Sequence, residues 1–181
     1  NAQLANVLKA GASNIELATG EYNLNSGLVF AANNITITGA SRENSVVKMD
    51  KQIRAKDGVT VLTLKNLTTN VPTDLSYTES TFAWIHYLKE FNMVNCNSNG
   101  RIRVNSHKVT IDGCTFDVTT SNGFDGYAIY YYGPSGSNVK VSNSTFNTVG
   151  KAIVMYNEGS PVLNLDVEKC TFVSSNTTDK A

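Results

Sequence analysis

The sequence predicts an all-β fold: a right-handed parallel β-helix, a solenoid of short stacked strands behind a short N-terminal capping helix. Three observations predict it. Six segments repeat alternating β-branched residues followed by an Asn- or Gly-centred turn. Two separate columns of residues align across the chain with matching spacing. Charged residues make up only 17%, and Asn, Thr and Ser supply the remaining polarity, which suits strands and turns better than helices.

From the N-terminus, Ala2-Gln-Leu-Ala-Asn-Val-Leu-Lys9 carries apolar residues at helical spacing, with Gly11 placed to end the helix. A helix there covers the first open edge, which would otherwise invite pairing with another chain. Ile15-Glu-Leu-Ala-Thr-Gly-Glu-Tyr22 follows as strand and turn. The repeats are Asn34–Gly39, Val59–Leu67, Phe91–Cys96, Val109–Phe116, Val139–Phe146 and Leu165–Phe172, and alternation turns every second side chain inward. Aligned, they give the column Leu67, Cys96, Cys114, Ser144, Cys170, with Phe116, Phe146 and Phe172 two residues on. The steps of 29, 18, 30 and 26 residues fit a β-helix, whose turns vary in length while its strands stay in register.

The second column joins Phe82–Tyr87, Arg101–Asn105, Tyr127–Tyr132 and Lys151–Tyr156 without gaps. It places Trp84, Ile102, Ile129 and Ile153 at one inward position, in steps of 18, 27 and 24. Each rung therefore holds at least two strands, and about six or seven rungs are expected at the ordinary strand spacing. Asn66, Asn95 and Asn143 align at the turn after the strand, where stacked amides would bond from rung to rung.

Fifteen basic residues balance fifteen acidic ones, with no long run of either sign. Neither a nucleic-acid groove nor an anionic membrane surface is expected as partner. No stretch approaches the roughly 20 apolar residues that span a bilayer, so membrane insertion is not expected. The three cysteines form neither a metal cluster nor an even disulfide framework, and reduced, structural thiols are expected.

The helix followed by "NIELATGEYNL", "NNITITGAS" and "VTIDGCTF" resembles the pectin-lyase-like superfamily of right-handed parallel β-helices. The rungs "VTIDGCTFDV", "YAIYYYG" and "KAIVMYNEG" more narrowly resemble adhesin-like secreted β-helix proteins of gut Bacteroides-type bacteria. The resemblance covers nearly all of the chain and implies one domain, 1–181, at the cell surface or outside the cell. It speaks for the fold; fold alone does not fix chemistry.

Many members of that superfamily cleave acidic polysaccharides, which makes a diverged lyase or glycoside hydrolase the competing expectation. Pectate-lyase-like members carry a calcium site and an Arg near a Pro. Here no Arg lies near Pro72, Pro134 or Pro161, and Trp84-Ile85-His86 lacks the Asp of the related motif. The Asn-Thr-Asp, Asp-pair and Gly-His-Gly motifs of polygalacturonase-like members are missing. Glycoside hydrolysis needs two carboxylates across one sugar bond. Asp112 and Asp117 share a rung and Asp125 follows, but Asp112 sits in an Asp-Gly turn, where it is expected to bond backbone. Of the two possible bases, His86 is expected inward beside Val104, Tyr131 and Met155, and His107 in a loop. No catalytic residue, metal or cofactor is therefore assigned.

The outward residues of the second column suggest a site instead. Tyr87, Asn105, Tyr132 and Tyr156 are expected to form an exposed ladder, with Arg103 and Tyr130 beside it. Aromatic faces near polar groups suit sugar rings, so a glycan or host-surface ligand is the expected partner. The structural alternative is a ladder that stabilises the sheet by cross-strand contacts, or one buried under a loop such as Asn70–Thr81. After Phe172 no capping signal occurs, so a longer parent solenoid is expected, with self-association through an open C-terminal rung as another outcome.

Overall fold

A computed structural model describes residues 3–24, 28–49, 53–55, 58–71, 84–119, 127–133, 136–156 and 163–175. They form a parallel β-solenoid with one short helix at its N-terminal end. The helix, Gln3–Lys9, buries Leu4 and Leu8 over the first rung. It closes where Gly11 donates to the Leu8 carbonyl and Ala12 to that of Val7.

The strands stack on three faces, every recorded pairing parallel. On the first face, Asn14–Leu17, Asn34–Gly39 and Val61–Lys65 lead to the second half of the long strand Trp84–Val94. The second half of Ile102–Asp112, then Ser137–Ser142 and Leu163–Glu168 continue it. The second face stacks seven strands, from Gly20–Leu24 through Ser45–Met49, Thr68–Asn70, Asn97–Asn99, Thr115–Val118 and Thr145–Thr148 to Thr171–Ser174. The third face joins Leu28–Val29 and Ile53–Arg54 to the first halves of the two long strands, then Ile129–Tyr132 and Ile153–Tyr156.

Alternation of apolar and polar residues places the core inside this prism. Ile35, Leu62, Phe91, Val109 and Val139 stack in register, as do Ile37, Leu64, Met93, Ile111 and Val141, all essentially buried. The expected Phe column is present: Phe116 and Phe146 rings lie 4.9 Å apart at 4°, and Phe146 and Phe172 5.1 Å apart at 8°. Its upstream members are Thr69 and Ser98, which a search for apolar residues passes over. Their buried hydroxyls are satisfied, Thr69 donating to Ser98 Oγ at 2.9 Å and Ser98 to the Gly100 carbonyl at 3.0 Å.

In each of the last five corners between the first and second faces one residue takes a left-handed conformation. Asn66, Asn95, Gly113, Asn143 and Lys169 hold φ of 51°, 50°, 64°, 49° and 53°. Asn and Gly tolerate this left-handed conformation because a short polar side chain, or none, avoids the Cβ–carbonyl clash. Asn95 Nδ2 bonds Asn66 Oδ1 at 3.0 Å, and Asn66 Nδ2 bonds the Gly39 carbonyl at 2.9 Å, so part of the expected amide ladder exists. At Gly113 the ladder loses its side chain, and Asp112 takes over by accepting from Ser142 Oγ and Asn143 Nδ2, each at 2.7 Å. Those two donors hold its carboxyl below the ordinary value. Asp112 thus ties one rung to the next. Lys169 lacks the compensation of a short polar side chain. Lys169→Asn is expected to raise stability by about 0.5–1 kcal/mol, read as a higher thermal midpoint.

Arg42, in the turn before Ser45–Met49, spans several rungs. Its guanidinium donates to Asn97 Oδ1 at 2.6 Å, Asn95 Oδ1 at 3.2 Å and Thr115 Oγ1 at 2.7 Å, while its carbonyl accepts from Thr68. The planar fork bridges the second-face strands from outside, as the compact ammonium of Lys could not.

Candidate functional site

The second sequence column is in register over most of its length. Ile102, Ile129 and Ile153 pair in succession, and so do Arg103, Tyr130 and Val154. Asn105, Tyr132 and Tyr156 form the next ladder two residues on. The expectation for Trp84 is corrected. Trp84 pairs with Arg103 and Ile85 with Val104, whereas Leu88 pairs with Ser106. One extra residue is therefore accommodated at His86–Tyr87 opposite Asn105, a β-bulge, and the gap-free alignment fails upstream of it. Ile85, fully buried, occupies the inward position beside Val104, Tyr131 and Met155 where His86 was expected. Tyr87 belongs to the bulged strand, and its side chain, like that of His86, lies outside the described residues. Residues 72–83, most of the loop considered as a cover, and Asp125 also lie outside them.

What remains is a strip of tyrosines on the third face. Tyr130 and Tyr156 ring centroids lie 6.2 Å apart at 33°, and Tyr132 and Tyr156 5.9 Å apart at 30°. Tyr127 continues the chain, 5.3 Å from Tyr130 at 40°. Tyr156 is 45% exposed, Tyr130, Tyr132 and Asn105 are half-buried, and Tyr127 is buried. Rings tilted by these angles are not a parallel stack. Behind them, Tyr131 points inward and donates to the Ser106 carbonyl at 2.6 Å, with burial pushing its hydroxyl pKa up. The strip therefore stands on a packed, rigid strand.

Arg103 does not lie open beside the strip, as the outward alternation suggested. It is only 4% exposed, its Cζ lies 5.0 Å from the Tyr130 ring centroid, and Nη2 donates to the Tyr127 hydroxyl at 3.3 Å. Stacking on an aromatic face and bonding a phenol explain how the cation is held there.

Catalytic arrangements fare less well. Among the described residues no group of three or more His, Cys, Asp or Glu side chains is placed to hold a metal ion. His107 is exposed within the long strand Ile102–Asp112 rather than in a loop. A shallow cavity of about 320 Å³ lies on the first face, lined among others by Lys108, Asn138, Lys140, Asn164 and Asp166. Its charges are matched: Lys108 meets Glu90 at 3.1 Å, and Lys140 meets Asp166 and Glu168 at 3.7 and 3.6 Å. Such exposed pairs contribute little and mark a solvated face.

The cysteines are free. Cys96 and Cys114 are buried on adjacent rungs, and Cys170 is partly exposed. The neighbouring Cys96 thiol, and then burial, push the Cys114 pKa far up, which suppresses its reactive thiolate. A thiol reagent without reductant is expected to find three groups in denaturant, with Cys170 reacting first in the native protein. A denatured count of one would contradict this.

Comparison of the chain with protein-family models, with curated proteins and with solved structures gave no match.

Proposed function

We propose that this chain is a non-catalytic, adhesin-like binding module of the pectin-lyase-like kind, working at the cell surface or outside the cell, with a glycan as its ligand. The observation that carries this is the run of tilted rings Tyr130, Tyr156 and Tyr132, with Asn105 beside Tyr132 in the ladder. The apolar C–H faces of sugar rings pack on aromatic faces, while nearby amides and phenols bond their hydroxyls. Strands in a stacked solenoid hold such rings at fixed separation, so little ordering entropy is lost on binding.

The test is Tyr132→Ala, assayed for binding to a panel of immobilised polysaccharides and for thermal unfolding. Binding is expected to weaken by about 1 kcal/mol or more while the midpoint stays nearly unchanged. Lost stability with unchanged binding would make the ladder purely structural. Release of reducing ends or unsaturated products by the protein would instead establish a polysaccharide lyase or hydrolase.

A further inference from the structure

We infer that Arg103 is a positioning residue of the tyrosine strip, one that fixes the orientation of Tyr130 and Tyr127 for the ligand and acts through those rings; the inference rests on the glycan reading of the same site. Arg103, Tyr130 and Val154 occupy one position of three successive rungs, so Tyr130 stands between Arg103 on one side and the rung of Tyr156 on the other. The Arg103 guanidinium lies 5.0 Å from the Tyr130 ring centroid, close to the spacing of stacked strands. Its Nη2 reaches on to donate to the Tyr127 hydroxyl at 3.3 Å. One planar cation thus holds two rings whose centroids are 5.3 Å apart at 40°.

A tyrosine on an open face chooses among staggered rotamers, and a ring that must be ordered by its ligand binds it less tightly. Tyr130 is the ring from which the strip runs outward: it meets Tyr156 at 6.2 Å and 33°, and Tyr156 meets Tyr132 at 5.9 Å and 30°. Holding Tyr130 therefore holds one side of the contact on which the exposed Tyr156 ring rests. Arg103 itself is only 4% exposed, so its effect on a ligand passes through the rings. The task suits a guanidinium, whose planar fork lies on a ring and donates to a phenol at once, where a Lys ammonium offers a point charge without that plane.

The experiment compares the wild type with Arg103→Met, Arg103→Lys and Tyr127→Phe. Met replaces a buried cation by an apolar stem, a change that packed interiors commonly accept, and Tyr127→Phe removes only the accepting hydroxyl. Nuclear Overhauser contacts read the ring orientation, and affinity electrophoresis through gels containing a β-glucan, a mannan or polygalacturonate reads binding. All three variants are expected to lose the Tyr130–Tyr156 ring contact and about fivefold or more of the retardation shown by the wild type, while the Phe116–Phe146 contact and the thermal midpoint stay nearly unchanged. If Arg103→Met does not fold, Tyr127→Phe decides alone. An unchanged Tyr130–Tyr156 contact in the folded variants would overturn the positioning role, and so would loss of the Phe116–Phe146 contact along with it, which would make Arg103 a residue of the fold. Binding lost in Arg103→Met but restored in Arg103→Lys and unaffected by Tyr127→Phe would overturn it too, by making the charge a direct ligand contact. No retardation of the wild type by any polymer would overturn the glycan reading, and with it the binding role given to Arg103.

Discussion

Phe146→Ala is expected to cost about 3–5 kcal/mol of stability, the range for truncating a large buried aromatic residue. Phe146 is fully buried and stacks on both sides, against Phe116 at 4.9 Å and Phe172 at 5.1 Å. Removing the ring opens a void between two rungs whose spacing is fixed by backbone hydrogen bonds, as in Thr145 to the Cys114 carbonyl and Thr171 to that of Ser144, both 2.9 Å. The rungs cannot close the gap without breaking those bonds, so the cavity persists. The same change at Phe172, already 52% exposed, is expected to cost about 1 kcal/mol, because much of its ring is in water before the mutation. Urea unfolding of the two variants checks both figures. A loss below about 1 kcal/mol at Phe146 would mean that the Phe column does not face the core.

Gly100→Ala is expected to cost about 3 kcal/mol, through two effects that add. The backbone at Gly100 has φ +94°, a conformation that any Cβ strains. A Cβ there would also collide with the Val71 carbonyl and crowd the Val71 side chain at 3.2 Å. Neither side can yield cheaply. Gly100 N–H donates to the Asp117 carbonyl at 3.0 Å, and Val71 N–H donates to that of Asn99 at 2.8 Å, so both strands are pinned. The denaturant midpoint should fall while the slope of the transition stays constant. An unchanged midpoint would show that the corner after Asn97–Asn99 relaxes freely.

The sequence made the fold legible where strands are regular. A side-chain period of two carries the same residue type to the same face in each rung, so Phe116, Phe146 and Phe172, and Ile102, Ile129 and Ile153, stand out without any structure. It became illegible where that period slips. Leu88 and Ser106 are offset by 18 residues, but the bulge at His86–Tyr87 makes the offset of Trp84 and Arg103 19, and an ungapped alignment cannot register the change. Polar members of an inward column, Thr69 and Ser98, hide for a different reason: their burial depends on hydrogen bonds made between rungs. The bridge from Arg42 to residues 53 to 73 positions away has no local signal at all.

The site was legible in part. The ladder of Asn105, Tyr132 and Tyr156 is where the alternation put it. The burial of Arg103 was not foreseen, since alternation tells which face of the strand a side chain leaves from but not whether neighbouring rings and chain cover that face. An outward Arg followed in the next rung by an outward Tyr is the signal that was available, because the two stack in register and the cation lies against the ring.

Core and strip both depend on one property, the stacking register of parallel rungs. Nuclear Overhauser contacts between aromatic side chains measure it most directly. Cross-peaks are expected between the rings of Phe116 and Phe146, Phe146 and Phe172, and Tyr132 and Tyr156, whose centroids are 4.9, 5.1 and 5.9 Å apart, with none between Phe116 and Phe172. A direct contact between Phe116 and Phe172, or absence of the Phe116–Phe146 contact in a folded sample, would contradict the solenoid as described.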